Sequence, residues 1–423
     1  MISADWVVPV EGPPIENGAV AIADDGTIET VGSAEDLGQG DHHEGCVIIP
    51  GLVNAHSHLE YAVYAGFGDG LPFVPWIGMH VQRKDALDFG DMTAIATVGA
   101  HESLRSGVTT VGDCSFSGAT ALAAAASGLR AIVYLEVFST DADPLDRFHE
   151  ARARIEHVLS DRVRVGVSPH APYTCTIETY RACAELRIPQ ATHFAESGAE
   201  RDWLVSGIGD WSPLARFLVP PPGETGIRLL AADGLLGPSL MAAHCVHADA
   251  EEIGLLAQHG VGVAHCPRSN GYLGCGVAPL AELREAGIAV SIATDSPASA
   301  PSLDMFDEIR AAIVGARARA SNPGALTAAD ALELATLGGA RVLGLEDQIG
   351  SLVPGKQADL AVISLVDSPL DPVEDPVISV VLGGSPDRVA ATLVAGEERY
   401  VKGKSRWPDS TRAARRARSK MLP

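Results

Sequence analysis

The sequence predicts an α/β fold, a (β/α)8 TIM barrel with a small β-sandwich domain formed by the N- and C-terminal segments. The first observation behind this prediction is a set of eight apolar, β-branched-rich runs. Most of these runs are separated by segments of helical period, such as 91–106. Alternating strand and helix units imply a parallel sheet, and eight of them imply a closed barrel. The second observation is that both ends of the chain consist of short strand-like runs joined by turns.

The predicted barrel strands follow one another along the chain, with two long excursions between them. These excursions cover 64–90, after the first strand, and 198–238, after the fifth. Because the loops at the carboxyl end of a barrel build its pocket, they are predicted to form the walls of a substrate site. The eight strand-like runs cover 47–58, 107–115, 129–138, 163–173, 189–197, 240–247, 260–270 and 288–297.

The two ends of the chain share a different character. Residues 1–48 and 349–405 are rich in Val, Ile, Gly and Asp, which is typical of short antiparallel strands joined by tight turns. We predict that both ends form one small β domain and that the barrel is inserted over 49–348. The basic tail at 406–423 favours a solvated terminal helix over an arm that binds anions.

Composition limits the classes of function. The formal net charge of −23 argues against a nucleic-acid surface, which needs a basic stripe to contact phosphates. The seven cysteines form no CxxC pair, which indicates reduced thiols in a cytoplasmic protein. No signal peptide is evident at the N-terminus, and no apolar run reaches the roughly 20 residues of a membrane span. We therefore predict no nucleic-acid partner and no membrane partner.

Two histidines, His56 and His58, end the first apolar run. A strand presents residues i and i+2 on the same face, so both imidazoles point the same way and can bind a divalent metal. By itself this pair fits polar loop histidines equally well. The carboxyl ends of the other predicted strands, which a barrel brings around one mouth, decide between the two interpretations. They carry further titratable side chains at His170, His193, His244 and Asp295.

In these residues and their surroundings the sequence resembles the amidohydrolase superfamily, and within it the branch of cyclic-amidine deaminases and triazine hydrolases. The similarity covers essentially the whole predicted barrel, and the split β domain also fits the architecture of that family. The motifs that carry the resemblance are, in this order, PGLVNAHSH, SPHAPYT, THFAES, MAAHCVH, AHCPRSN and ATDSPAS.

The resemblance implies a metal site built from His56, His58, His193 and Asp295. Three nitrogens and one carboxylate oxygen suit Zn²⁺, with Fe²⁺ or Mn²⁺ as alternatives. One coordination position remains for a water molecule, whose pKa the metal lowers to about 7. Binuclear members of the superfamily carry a carboxylated lysine at the end of the fourth strand. This chain has VSPHAPY there, without a lysine, so we predict one metal per chain.

The resemblance also assigns the catalytic groups. Glu196 matches the glutamate that in this family transfers a proton to the ring nitrogen of the substrate; the alternative is a carboxylate that stabilises a helix N-terminus. Asp295 is expected to take a proton from the metal-bound water in addition to binding the metal. His244 is expected to hydrogen-bond the hydroxide or the tetrahedral centre without binding the metal.

Six further residues are candidates for substrate contacts. His170 matches a substrate-contacting position of the deaminase branch, with a buried supporting role as the alternative. Trp76 would form an aromatic wall for a heterocycle or pack inside a lid. Arg268 would pair with a substrate oxygen, or equally with Glu196 or Asp295. The complete set of candidates is Glu60, Trp76, His170, Arg268, Ser269 and Asn270.

The remaining candidates are chosen by position. Glu60 lies two residues beyond His58, so it would share that strand face and could accept a hydrogen bond from a substrate N–H. Ser269 and Asn270 follow the seventh strand, where the family shapes its pocket.

These residues imply hydrolytic deamination of an aminopurine nucleoside or a related cyclic amidine, with metal hydroxide as the attacking group. The sub-family that the chain resembles most is the aminodeoxyfutalosine deaminases of menaquinone biosynthesis. Deaminases of S-adenosylhomocysteine and methylthioadenosine share nearly all the motifs and remain an alternative, as does a triazine-type chlorohydrolase. An inactive barrel that serves as a binding protein is the alternative outside enzymes. The oligomeric state stays open, with a homodimer as one alternative.

Overall fold

The protein is described by a computed structural model over residues 1–139 and 143–422, and the predicted fold class is confirmed. The strands of these residues form two separate sheets. The strands are β1 (Ile2–Val7), β2 (Ile15–Ile22), β3 (Ile28–Ser33), β4 (Asp41–Pro50), β5 (Leu52–Ser57), β6 (Val108–Ser115), β7 (Arg130–Val137), β8 (Val163–Pro169), β9 (Gln190–Phe194), β10 (Leu240–His244), β11 (Gly262–His265), β12 (Val290–Ile292), β13 (Leu360–Ser364), β14 (Val389–Val394) and β15 (Glu397–Val401).

Helices occupy most of the intervals between the barrel strands. Two of them begin with a capping box, in which Asp88 and Asp249 accept from the first turn and receive a hydrogen bond in return. Among residues 1–139 and 143–422, no helix is both long and apolar enough to cross a membrane. The helices are α1 (Ala34–Leu37), α2 (Phe73–Lys84), α3 (Phe89–Arg105), α4 (Ala119–Ser127), α5 (Asp146–Ile155), α6 (Ile177–Glu185), α7 (Gly198–Ser206), α8 (Gly226–Ala232), α9 (Ala250–Gln258), α10 (Pro267–Tyr272), α11 (Leu280–Glu285), α12 (Met305–Ala320), α13 (Ala328–Leu334), α14 (Leu337–Val342), α15 (Pro376–Gly383) and α16 (Pro408–Lys420).

The strands β5 to β12 form the barrel in chain order, each parallel to its neighbours. A bridge between Ser57 and Asp295 links the ends of the first and last strands, so the sheet is nearly closed. Inward-facing apolar side chains such as Ile132, Tyr134 and Met241 fill the barrel interior. The carboxyl ends of all eight strands therefore meet at one mouth above a packed core.

The two ends of the chain form one seven-stranded mixed sheet, in the order β15-β14-β13-β4-β1-β2-β3. The sequence predicts antiparallel pairing here, and one pair differs: β1 and β4 run parallel. The reason is that β3 already runs in the direction of β1, and the connection through α1 carries the chain back before β4 begins in the same direction. The predicted domain limits 1–48, 49–348, 349–405 and 406–423 stay predictions, and the last residue of the tail lies outside the described part of the chain.

Gly51 joins the small sheet to the barrel between β4 and β5. A Cβ atom at this position would lie 2.2 Å from the side chain of Thr109, closer than real Cβ contacts occur. Glycine is therefore required where the first barrel strand leaves the small domain, just before the two histidines of interest.

The basic tail forms α16, which packs against α3. One face of this helix is buried through Ala414 and Ala417, so the helix is only partly solvated. Arg418 donates to the backbone oxygen of Val63, and its guanidinium carbon lies 4.2 Å from the ring centre of Phe67. The end of the chain therefore braces the excursion that follows the first barrel strand.

Candidate functional site

Five of the six predicted metal-binding and catalytic residues come together at the barrel mouth as a cluster of four histidines and one aspartate. His56, His193 and His244 lie in β5, β9 and β10, His58 directly follows β5, and Asp295 lies three residues beyond the end of β12. Because parallel barrel strands all end at the same rim, residues more than 200 positions apart in sequence become neighbours.

Short distances join the four predicted metal ligands. The Nε2 atoms of His56 and His58 lie 3.4 and 3.3 Å from Oδ1 of Asp295. The Nε2 atom of His193 lies 3.4 Å from Nε2 of His58. The ligand atoms of His56, His58 and Asp295 all lie within 4.8 Å of one another, and so do those of His56, His193 and His244. All these side chains are buried.

Electrostatics give this cluster the protonation state that a metal site needs. Burial lowers the pKa of His193 and His244 to about 4, and it lowers the pKa of His56 and His58 as well. Burial opposes ionisation of Asp295, but the surrounding imidazoles hold its pKa well below the ordinary value. At neutral pH the cluster therefore presents neutral imidazoles around one ionised carboxylate.

The second nitrogen of two histidines is fixed by an acceptor. Nδ1 of His193 donates to the backbone oxygen of His170 at 2.7 Å, and Nδ1 of His244 donates to Oδ1 of Asn270 at 3.0 Å. These bonds leave the Nε2 lone pairs directed into the cluster. Among the described residues, Nε2 of His56 and of His244 has no hydrogen-bond partner although both are buried. Buried nitrogens without partners are rare, and these fit a divalent metal.

Asp295 is held by two serine hydroxyls. Ser269 and Ser299 each donate to its Oδ2 atom at 2.7 Å, which leaves Oδ1 facing the histidines. Asp295 has a positive φ of 57°, and His244 has one of 71°. A residue other than glycine in the left-handed region costs of order 1–3 kcal/mol, and such strain concentrates at functional sites. Ser269 thus contacts the predicted ligand, whereas the sequence suggested a substrate contact.

Glu196 lies at the inner edge of the cluster. Its Oε1 atom is 3.6 Å from Nε2 of His244. Burial, together with the charges of Asp295 and Glu200, raises the pKa of Glu196 well above its ordinary value, which favours its protonated form. Glu200 accepts hydrogen bonds from the backbone N–H groups of Ala195 and Glu196, both at 2.9 Å, and so fixes the turn that presents Glu196.

A pocket of about 560 Å³ opens above the cluster, and both predicted excursions form its walls. Helix α2 contributes Phe73 and Trp76, and the second excursion contributes Trp211 and Leu218. Trp76 lines the pocket and also donates to the backbone oxygen of Ala298 at 3.3 Å. Flat aromatic walls of this kind suit a planar heterocycle.

His170 lies on the pocket wall, as its candidate role requires. Its ring centre is 4.9 Å from that of His193, and its Nδ1 atom is 2.8 Å from Oγ1 of Thr174. Because its backbone oxygen also fixes His193, the residue supports a predicted metal ligand while its ring faces the pocket. Both roles left open by the sequence therefore remain compatible with its position.

Two candidate substrate contacts are engaged elsewhere, and here the sequence-based interpretation is corrected. Glu60 accepts hydrogen bonds from the hydroxyl of Ser117 at 2.8 Å, from N–H of Ala119 at 3.0 Å and from the hydroxyl of Ser115. It therefore caps the start of α4 and does not line the pocket. The 3₁₀ turn that follows His58 rotates Glu60 away from the strand face assumed in the prediction.

Arg268 is the second corrected candidate. It donates to the carboxylate of Glu308 at 2.6 Å and to the backbone oxygen of Ser302 at 2.7 Å. It reaches neither Glu196 nor Asp295, because α10 turns it toward α12. Asn270 likewise serves the cluster through His244 and makes no wall of the pocket.

Sequence reasoning missed the carboxylate of Glu136, which lies on the pocket wall. It lies on β7, where Ile132 and Tyr134 point into the barrel interior. The two-residue period of a strand therefore also directs Glu136 inward, at the level of the mouth. This alternation in RAIVYLEV was the signal that could have identified it.

The chain is similar to known proteins along most of its length. A model described as the Amidohydrolase family matches residues 47–399, which include the whole barrel. The chain belongs to the amidohydrolase family. It is therefore an amidohydrolase enzyme, as the sequence predicts.

Named amidohydrolases match along almost the full length of this chain. A 5-methylthioadenosine/S-adenosylhomocysteine deaminase of Moorella thermoacetica is 34% identical over 419 residues, covering 96% of this chain and 94% of that protein. A 5'-deoxyadenosine deaminase of Methanothermobacter thermautotrophicus is 33% identical over 393 residues, covering 90% and 89%.

Solved structures show the same amidohydrolase architecture. An adenosine deaminase from Xanthomonas campestris with bound zinc superposes with a TM-score of 0.86 at 29% identity, covering 99% of this chain and 98% of that one. The atrazine chlorohydrolase TrzN of Arthrobacter aurescens, complexed with zinc, superposes with a TM-score of 0.81 at 24% identity, with all of both chains covered. The second likeness concerns the fold alone.

Proposed function

We propose that this amidohydrolase is a metal-dependent hydrolytic deaminase of adenosine-type nucleosides. The observation that carries the proposal is the cluster of neutral imidazoles around ionised Asp295, faced at 3.6 Å from His244 by Glu196, a carboxyl whose pKa burial raises. A nearby proton donor is what the departure of an amine from an aminated ring requires. The named deaminase relatives support the same reaction and substrate class.

The metal would be held by His56, His58, His193 and Asp295, and we infer that it is zinc. Three imidazole nitrogens and one carboxylate oxygen suit this ion, and a zinc-containing structural neighbour supports the choice. When bound, a divalent cation of this kind activates water as a nucleophile at neutral pH. The roles of these four residues remain predictions until the metal content is measured.

The chain's own groups would move the protons. Water adds to the carbon that bears the amino group while Asp295 accepts a proton from it and Glu196 donates one to the ring nitrogen. His244, held by Asn270, hydrogen-bonds the oxygen of the tetrahedral intermediate. The C–N bond then breaks as the leaving amine takes up the proton from Asp295 and the hydroxyl of the intermediate returns a proton to Glu196, so that ammonia and the ring carbonyl result.

The pocket would hold the base between aromatic walls. Trp76 and Trp211 lie on the two excursions that enclose it, and their rings offer stacking surfaces for a purine. The candidate nucleosides differ in their substituents. Methylthioadenosine, S-adenosylhomocysteine, 5'-deoxyadenosine and aminodeoxyfutalosine are the candidates, and the last rests on the sequence resemblance alone.

The experiment that tests this function measures metal content and product release together. We expect about one zinc per chain and release of ammonia from at least one adenosine-type nucleoside. Glu196→Gln should keep the metal, but its rate of deamination should fall roughly 10²- to 10⁴-fold, because the proton donor is removed. Glu16→Gln makes the same chemical change on the exposed face of the small sheet and should leave the rate unchanged.

Three results would contradict the proposal. One is chloride release from chlorotriazines with no ammonia from any adenosine-type nucleoside, which would favour a chlorohydrolase. Another is well under one metal per chain, with no effect of Glu196→Gln on any measured property, which would favour an inactive binding protein. The third is turnover only of simple pterins, cytosine or triazines, which would exclude the purine nucleosides.

A further inference from the structure

Glu136 is a carboxylate on the pocket wall that accepts no hydrogen bond from the residues that the structure describes. Its exposed fraction is 4%, and it lies on the wall of the pocket. Among residues 1–139 and 143–422, no side chain or backbone group donates a hydrogen bond to it or forms an ion pair with it. Its carboxylate therefore opens on the pocket and is free to accept hydrogen bonds from a ligand there.

Two cations, Lys84 and Arg147, already lie near Glu136. Lys84 and Arg147 are both close enough to lower its pKa, against burial, which raises it to about 7. Both cations are anchored on the ring of Phe116 instead, with Nζ of Lys84 3.3 Å and the guanidinium carbon of Arg147 3.7 Å from the ring centre. What the carboxylate lacks is hydrogen-bond donors.

The position of Glu136 separates it from the reacting groups. The predicted metal ligands come from the first, fifth and eighth strands, with His244 from the sixth. Glu136 lies on the third strand, in the arc between the first and the fifth that contributes no ligand. When the reacting carbon of a substrate faces Glu196 and Asp295, the rest of the substrate can therefore contact this part of the barrel mouth.

We propose that Glu136 determines specificity by accepting hydrogen bonds from the 2'- and 3'-hydroxyls of the nucleoside sugar. The inference rests on the proposed function, which supplies the substrate class. A vicinal diol offers two neutral O–H donors at the spacing that the two oxygens of one carboxylate can accept. A site built to bind such donors discriminates strongly against analogues that lack them, because its buried carboxylate is then left unpaired.

The test measures binding of reaction products, which cannot turn over, to the full-length zinc-loaded protein. Inosine and 2',3'-dideoxyinosine differ only in the two hydroxyls, and the fluorescence of Trp76 and Trp211 in the pocket reports their binding. We expect the wild type to prefer inosine at least tenfold. Glu136→Gln should reduce this preference to about twofold or less by weakening inosine alone, because one charged acceptor is lost.

Matched variants complete the design. Glu16→Gln, the same change at an exposed position, should keep the wild-type preference. Glu136→Asp keeps the charge but retracts it by one methylene, so an intermediate preference for inosine is expected. This variant replaces Glu136→Gln in the test if the glutamine variant does not fold. An undiminished preference in a folded Glu136 variant would overturn the proposal, and so would a wild type that binds both products equally or neither.

Failure of this inference and failure of the proposed function look different. If the wild type releases ammonia from adenosine while the Glu136 variants keep its preference for inosine, deamination stands and the role of Glu136 falls. If no adenosine-type nucleoside releases ammonia but a Glu136-dependent preference for inosine is measured, the sugar contact stands and deamination falls.

Discussion

Glu60 and Glu136 are two buried glutamates near the barrel mouth, with exposed fractions of 1% and 4%, and they differ completely in their surroundings. The turn that begins α4 surrounds Glu60 with hydroxyl and N–H donors. Glu136 has no donor among the described residues. Burial and proximity to the histidine motif therefore do not distinguish a structural carboxylate from one that awaits a ligand, whereas the hydrogen-bond partners do.

The same contrast extends to other buried polar groups of the mouth. Arg268 is satisfied by Glu308 and Ser302, and it supports the junction of α10 and α12. The Nε2 atoms of His56 and His244 lack partners, and they face the centre of the predicted metal site. Buried polar groups with hydrogen-bond partners should contribute to the stability of the fold. Those without partners should contribute to binding and lower the stability of the fold.

The largest effect on stability is expected from Arg268→Met. It removes one partner of a buried ion pair and leaves Glu308 uncompensated, which should lower the free energy of unfolding by about 3–5 kcal/mol. Denaturant unfolding measures this loss. Arg181→Met is the matched control, because the Arg181 side chain is exposed and water screens its pair with Asp233, so a much smaller loss is expected. Equal losses of unfolding free energy in the two variants would contradict the expected difference between the buried and the exposed ion pair.

A smaller loss is expected from Glu60→Gln. One of two accepting oxygens is replaced by an amide that cannot accept from the Ser117 and Ala119 donors, which should cost about 1–3 kcal/mol. The preference for inosine over 2',3'-dideoxyinosine should remain that of the wild type. Loss of this preference with normal stability would give Glu60 the role assigned here to Glu136.

A pH-dependent difference between wild type and Glu136→Gln is also expected, of up to about 3 kcal/mol, because each pKa unit corresponds to about 1.4 kcal/mol. The pKa of Glu136 is raised by burial from 4.5 to about 7, so the folded state binds this proton more tightly than the unfolded state does. Its contribution to stability is therefore fully present below pH 4.5 and is lost as the pH rises through 7.

The measurement is the free energy of unfolding of both proteins between pH 4.5 and 8. The wild type should lose stability relative to Glu136→Gln across this interval, so that the variant is relatively more stable at the alkaline end. Glu16→Gln should show no such trend relative to the wild type. A constant difference between wild type and Glu136→Gln would mean that Glu136 has a partner in solution.

The sequence predicted the architecture and the cluster because both depend on regular patterns. Alternating strand and helix segments define a barrel, and its topology then brings His56, His193 and Asp295 to one rim whatever lies between them. The two excursions were predicted as pocket walls on the same ground, and both line the pocket.

Individual side-chain partners were beyond the sequence because they depend on local backbone geometry. The direction of Glu60 is set by the 3₁₀ turn after His58, and that of Arg268 by the helix that begins directly after β11. Pro267 signals the start of that helix, but it does not indicate in which direction Arg268 points. Glu136 was overlooked for the opposite reason, since it stands in an apolar strand whose period alone reveals its direction.

The contact between α16 and the excursion after the first barrel strand has a consequence for the order of synthesis. Residues near 63–67, next to the pocket wall that carries Trp76, are braced by Arg418, which the ribosome adds some 350 positions later. A nascent chain that already contains every residue of the cluster still lacks this support. The segment at 63–67 therefore gains this contact only after α16 has left the ribosome.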